Sequence, residues 1–174
     1  MTVHELGCST NVHRFRKSVY SHVSIIHDRI MHYVGAVWQH KAIVQAAFQA
    51  GKHIYCEAPL GGTVADAKAI AKTAAAKPNL NFQAGLQYRS EPQRHFMFPF
   101  MRAGAIGKAV HARTQWHKKT SWRRVSPNAT REKAINWRLN PEVSPGLAGE
   151  IGMHQVDLVN HFLKLQPVAV NGFG

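Results

Sequence analysis

Between residues 50 and 60 the chain reads Ala50-Gly51-Lys52-His53-Ile54-Tyr55-Cys56-Glu57-Ala58-Pro59-Leu60, and this stretch constrains the fold more than any other. It has the form of a helix end, a glycine stop, a short buried strand and a polar loop closed by proline. Upstream, from Gln39, the residues Ile43, Val44, Ala47 and Phe48 recur at helical spacing. Downstream, Thr63-Val64-Ala65-Asp66 has the form of a capping box, in which each side chain can satisfy an exposed amide of the first turn. The alanine-rich helix it starts runs to Ala76, with Val64, Ala67, Ile70, Ala71 and Ala74 on its buried side. Pro78-Asn79 ends that helix, and Leu80 to Leu86 reads as the next strand. Helix, strand, helix and strand with short connections predict βαβ units and a parallel sheet. Ligands of such sheets lie beyond the carboxyl ends of the strands, which puts Glu57-Ala58-Pro59 at the crevice.

The next segments predict a helix from about Glu91 to Arg102, with Pro92 in its first turn, and a turn at Ala103-Gly104-Ala105-Ile106-Gly107. Lys108 to His117 alternates like a strand, with Val110, Ala112, Thr114 and Trp116 on one face. A domain boundary is expected here, followed by a long basic loop over residues 118–146. Residues 1–38 differ from the rest. Their histidines (His4, His13, His22, His27, His32) keep no common spacing and no period of 2 or 3.6 is sustained, so a poorly structured or foreign leader is expected. The expected organisation is therefore a leader over 1–38, part of a nucleotide-binding domain over 39–105, and the start of a second domain over 106–174.

The net charge of +13 is concentrated: residues 102–138 hold ten Lys or Arg against the single acid Glu132, with Trp116, Trp122 and Trp137 among them. Three partners suit such a stretch: a single-stranded nucleic acid stacking on the indoles, an anionic ligand or cofactor phosphate in a basic cleft, or an acidic protein segment. Nucleic acid is not the expected partner. Cys8 and Cys56 show no pairing pattern, and Cys56 reads as a buried thiol in an apolar strand. No apolar run approaches the roughly 20 residues that span a bilayer, and no signal peptide is visible, so a cytoplasmic setting is expected.

A second constellation begins at Pro145-Gly146-Leu147-Ala148-Gly149 and leads into a helix reaching about Leu163. At 100° per residue, Glu150, His154, Asp157 and His161 share one stripe, while Ile151, Leu158, Val159, Phe162 and Leu163 lie opposite. Three readings of the stripe stand side by side. Glu150 and His154 suit a general acid/base pair, because a carboxylate one turn away orients and tunes an imidazole. All four suit a metal such as zinc or manganese. The third is a solvated face with ordinary i, i+4 pairs. Gly146, Gly149 and Gly152 point to a close backbone approach there.

Taken in order, Gln39-His40, the 50–60 stretch, Gly85-Leu86-Gln87-Tyr88-Arg89, Gly104-Ala105-Ile106-Gly107, Gly149 to Asp157 and the closing Pro167-Val168-Ala169-Val170-Asn171-Gly172-Phe173-Gly174 resemble the Gfo/Idh/MocA oxidoreductases over roughly residues 39–174. That resemblance implies an α/β fold: the C-terminal part of a Rossmann-type parallel sheet, then the start of an α/β domain on a mostly antiparallel open sheet, truncated at both ends. It implies hydride transfer between NAD or NADP and a sugar, cyclitol or related polyol. Glu57, Ala58 and Pro59 would lie by the nicotinamide ribose, Gln39, His40 and Arg89 would line the same crevice, and Trp137 and Arg138 would approach cofactor or substrate. His154 matches the family's catalytic histidine and Glu150 stands where the family has aspartate. No metal is implied, and the parent enzyme would be a homo-oligomer. The chain departs from the pattern in having no G-x-G-x-x-G, no early Rossmann strands, and alanine (Ala58) in place of the family lysine. Either Lys118, Lys119 or His154 alone would then carry the proton transfer, or the parent protein binds the cofactor and is catalytically altered. A central fragment, inactive by itself, is expected. The alternatives are an NAD-dependent glycosidase of related fold and a polyanion-binding module using residues 102–138.

Overall fold

The computed structural model describes residues 23–26, 29–117 and 121–173. Strands β1 (Val23–Ile26), β2 (Ile30–Val34), β3 (His53–Glu57) and β4 (Phe82–Gly85) form one sheet in the order β1-β2-β3-β4. β1 runs antiparallel to β2, with Val23 opposite Val34. β2, β3 and β4 are mutually parallel, with Ile30 opposite His53 and Ile54 opposite Phe82. The leader expected over 1–38 is thereby corrected. Residues 23–34 supply two strands, and the second is an integral member of the parallel sheet. Within β2 the buried residues are Met31 and Tyr33, but a run this short displays no period before its pairing partners are known.

Helix α1 (His40–Gln49) buries Val44, Ala47 and Phe48, the stripe read from its spacing, and stops where Gly51 takes φ 68°. β3 alternates as a half-buried strand, burying Ile54 and Cys56. Helix α2 (Val64–Ala75) opens on the expected box: the Thr63 hydroxyl accepts from the Asp66 amide at 3.1 Å and donates to its carboxylate at 3.0 Å. Its buried face is rotated from the expected one. Ile70 is fully buried and Ala74 packs on the core, whereas Val64 is 71% exposed and Ala71 is exposed as well. Met31, Tyr33, Val44, Phe48, Ile54 and Ile70 make up most of that core.

Helix α3 (Pro92–Arg102) begins with proline at its first position and ends in the predicted turn, with Gly104 at φ 79° and Gly107 at φ 69°. The strand expected over 108–117 does not form. The segment carries no regular element and has no ladder partner among the described residues, and Val110 is 89% exposed. Alternation supplies a face, but a strand also requires a neighbour for its backbone groups. The antiparallel sheet anticipated for residues 106–174 is likewise absent from the described residues. The loop expected over 118–146 is partly helical. It contains α4 (Ala129–Ile135), capped by Asn128, and a 3₁₀ turn, Trp137–Leu139. Asn136 fastens it by accepting from the Arg124 amide at 2.7 Å and donating to the Arg124 and Glu132 carbonyls at 2.7 and 2.9 Å. A π-helical turn, Ala148–Gly152, leads into α5 (Met153–Leu163).

The described residues divide into two compact units. One joins the chain up to Gly85 with Ser121–Ser144, and the other joins Leu86–Thr120 with Pro145–Gly174. By its contacts the chain first changes unit at residue 85, and the basic stretch is shared between the units.

Candidate functional site

In the first unit the candidate cofactor residues gather at the carboxyl ends of β2, β3 and β4. Glu57 closes β3, and its carboxylate accepts from the Tyr55 hydroxyl at 3.1 Å and from the Ala58 amide at 3.3 Å. It lies against the backbone of Gly85 on β4, where a Cβ would stand 2.5 Å from Oε2. Only glycine leaves room for the carboxylate there, so Glu57 is held in one place with acceptor capacity to spare. Ala58 and Pro59 follow, joined by a cis peptide bond.

Gln39 and His40 sit at the start of α1. Tyr33 donates its hydroxyl to the Gln39 side-chain carbonyl at 2.9 Å. His40 is 1% exposed, so its ring does not line a crevice. Its Nε2 lies 3.1 Å from the Gly35 carbonyl and its Nδ1 3.5 Å from the Cys56 sulfur. Burial holds the His40 imidazole below its ordinary pKa of 6.5, partly offset by backbone groups of Gly35, Pro59 and Leu60. The neutral ring therefore bridges the ends of β2 and β3. Cys56 is fully buried, and burial together with the Glu57 charge pushes its thiol up to about 12. A Cys–His pair in that state is inert as a nucleophile.

Trp137 joins this unit just upstream of Gln39. It is 7% exposed, packs with Ala36 and Val37, and meets Trp38 edge to face at 5.1 Å, with Arg138 over its ring at 4.3 Å. Buried in this way, it offers no stacking platform to a nucleic acid. Beside it opens a cavity of about 950 Å³ whose walls include Trp38, Arg131, Lys133, Trp137 and Asn140. Two cations and two indoles give it the character of a cleft for an anionic, ring-bearing ligand.

The second unit holds Arg89, Glu150 and His154. The first turn into α5 is tight: a Cβ on Gly149 would stand 2.3 Å from Pro145, which accounts for that glycine without a ligand. Glu150 is 9% exposed within the π-helical turn. Further along the stripe, the three remaining members meet different neighbours. His154 meets Tyr88 edge to face at 5.7 Å, Asp157 takes two hydrogen bonds from Arg89, and His161 meets Phe98 at 4.9 Å. With Glu150 nearly buried and the other three each against a neighbour, the solvated-face reading fails for all four. Among the described residues no cluster of His, Cys, Asp or Glu could hold a metal ion. Arg89 is bound through Nε (2.9 Å to Oδ2) and Nη2 to Asp157, a partner that the reading of Arg89 as crevice-lining did not include.

The structure thus collects Gln39, Glu57, Ala58, Pro59, Trp137 and Arg138 in one unit and Arg89, Glu150 and His154 in the other. Lys118 and Lys119 lie outside the described residues. Sequence reasoning missed Tyr33, which fell in the supposed leader, and gave Tyr88 no role. Its one signal was an aromatic residue beside an arginine just after a strand. The residues present suit the ribose and nicotinamide end of a dinucleotide, since a fixed carboxylate beside a bare glycine accepts from sugar hydroxyls. A glycine-rich turn for the pyrophosphate is not in the sequence.

Residues 20–85 match the family model described as an oxidoreductase family with an NAD-binding Rossmann fold, and residues 100–174 match the GFO/IDH/MocA C-terminal domain. The likeness therefore reaches back well before residue 39, into the segment first read as foreign. Levoglucosan dehydrogenase of Pseudarthrobacter phenanthrenivorans is 29% identical over 153 residues, which make up 86% of this chain and 37% of that protein. Inositol 2-dehydrogenase 1 of Saccharopolyspora erythraea is 38% identical over 71 residues, 41% of this chain and 21% of that protein. The crystal structure of an oxidoreductase domain protein from Kribbella flavida superposes with a TM-score of 0.65 at 31% identity, covering 79% of this chain and 36% of that one. The chain spans well under half the length of each.

Proposed function

The chain belongs to the Gfo/Idh/MocA oxidoreductases, and on that footing we propose that its protein oxidises an alcohol carbon of a sugar or cyclitol with NAD or NADP. The observation that carries this reading is the placing of His154 against Tyr88 and of Asp157 against Arg89 along α5, with the nearly buried Glu150 in the π-helical turn that leads into it. The cofactor, when bound, supplies the hydride acceptor. The remaining work falls to this chain. Glu57 and the backbone of Ala58 and Pro59 receive the ribose at the nicotinamide end, and Gln39 borders it. His154 takes the hydroxyl proton as the carbonyl forms, and Glu150, one turn earlier, orients the imidazole. Ala58 has no side chain with which to polarise the hydroxyl, so His154 carries the proton transfer alone. A homo-oligomeric assembly and a cytoplasmic setting complete this reading. Among the described residues no helix is long and apolar enough to cross a membrane.

The test is reduction of NAD or NADP by the full-length protein with levoglucosan and myo-inositol as probes. Replacing His154→Ala is expected to lower kcat about 10²- to 10⁴-fold while cofactor binding persists. Turnover retained in that variant would overturn the role given to His154, and product release without net cofactor reduction would favour the glycosidase reading instead.

A further inference from the structure

We infer that Tyr88 and Arg89 act together as positioning residues for His154, an inference that rests on the acid/base role proposed for that histidine. The two are consecutive in the 3₁₀ turn Gln87–Ser90, and they meet two residues of α5 that lie three apart on one face. Arg89 donates from Nε and Nη2 to the two oxygens of Asp157, the forked geometry that fixes direction as well as distance. Tyr88 lies edge to face with the His154 ring at 5.7 Å. Tyr88 is itself backed by α3. The Arg94 guanidinium lies 4.4 Å from its ring centroid, and Arg94 is tied to Glu91 at 2.5 Å.

The need for such a device follows from burial. No residue of α5 is fully buried, so packing alone leaves the helix's rotation about its own axis weakly fixed. A change in that rotation would swing His154 away from a substrate hydroxyl. Two attachments on neighbouring residues of one turn stop both the slide and the rotation. The Asp157 carboxylate engages Nε and Nη2, so this edge of the Arg89 guanidinium is committed to the helix.

The experiment uses the full-length protein and reads two things: the carbon-bound ring protons of His154, identified by their loss in His154→Ala, and the steady-state constants with levoglucosan and myo-inositol. Tyr88→Phe keeps the ring and is expected to keep both the His154 signals and kcat. Tyr88→Ala is expected to move those signals and to lower kcat about 10- to 100-fold at an unchanged KM, the scale of a small misplacement of a reacting group. Asp157→Asn is expected to act in the same direction, more weakly. Tyr88→Leu replaces the alanine variant if that one does not fold, with the same expectation. His154 signals identical in wild type and the ringless variant, or a Tyr88→Phe change as damaging as Tyr88→Ala, would overturn the inference. Absence of turnover in the wild type would instead sink the functional reading, while the spectra still decide whether the ring contact exists.

Discussion

Around β3, eight hydrophobic side chains from β2, α1, β3 and α2 are no more than 6% exposed, whereas α3 supplies one such residue, Phe98, and α5 none. In the first region the candidate residues inherit their places from a packed core. Glu57 ends a strand whose alternate residues are buried, and His40 is sealed between strand ends. In the second, the candidate residues are held by individual contacts: a forked ion pair, ring edges, and one stacked pair of phenylalanines, Phe98 and Phe162, at 4.0 Å. Substitutions should therefore cost stability in the first region and geometry in the second.

The strongest way to break that contrast is in the core. Phe48 is 1% exposed and packs beside Phe82, and Phe48→Ala should cost about 3–5 kcal/mol by transfer and cavity terms, read by denaturant unfolding. A cost below about 1 kcal/mol, the range of exposed positions, would mean that the sheet is not the organising body. Phe98→Ala removes the one buried apolar side chain of α3 and the stacking partner of Phe162. It should cost about 3 kcal/mol, the low end for a buried phenylalanine, since Phe98 retains 5% exposure and a cation, Arg102, over its ring. Hydrogen exchange should show the α5 amides losing protection first. Loss spread evenly over β2–β4 would erase the distinction between the regions.

His40 sharpens the comparison through pH. Its folded pKa lies below the ordinary 6.5, so the folded state resists the proton that the unfolded chain accepts. Its contribution to stability is complete above about pH 6.5 and is lost as pH falls from there through the folded pKa. Denaturant midpoints measured downward from neutrality should decline in wild type and decline less in His40→Gln, which has no titrating ring. Equal slopes would show that His40 is not the group responsible.

How much of this was legible beforehand depended on whether a feature is local. The α1 stripe, the Gly51 stop, the Thr63 box and the Glu57 loop were all readable, because each is set within one turn or one strand. β1 and β2 were not, since short strands acquire meaning only from their partners. The stretch over residues 108–117 erred the other way, showing the alternation of a strand but no neighbour among the described residues. Within the candidate sites, the helical setting of His154 was readable from its spacing. The commitment of Arg89 to Asp157 and the burial of His40 were not, because they depend on which surfaces meet across 68 and 16 residues of chain. Asn136 was missed for the same reason: its grip on Arg124 spans a loop with no period.

The smallest effect tests the boundary between core and surface inside the first region. Thr63 caps α2 from an exposed position, and the next residue, Val64, is exposed although periodicity had placed it inside. If α2 is held by Ile70 and Ala74, Thr63→Ala should cost only the lost cap, about 1 kcal/mol. Val64→Ala should then cost less than the cap, since little surface is returned to water at a side chain 71% exposed. The order matters more than either value. A valine substitution that outweighs the cap would put the first turn of α2 back in the core, which is where the sequence pattern had it. The reverse order means that the sheet's edge, not helical periodicity, decides which residues of that turn are buried.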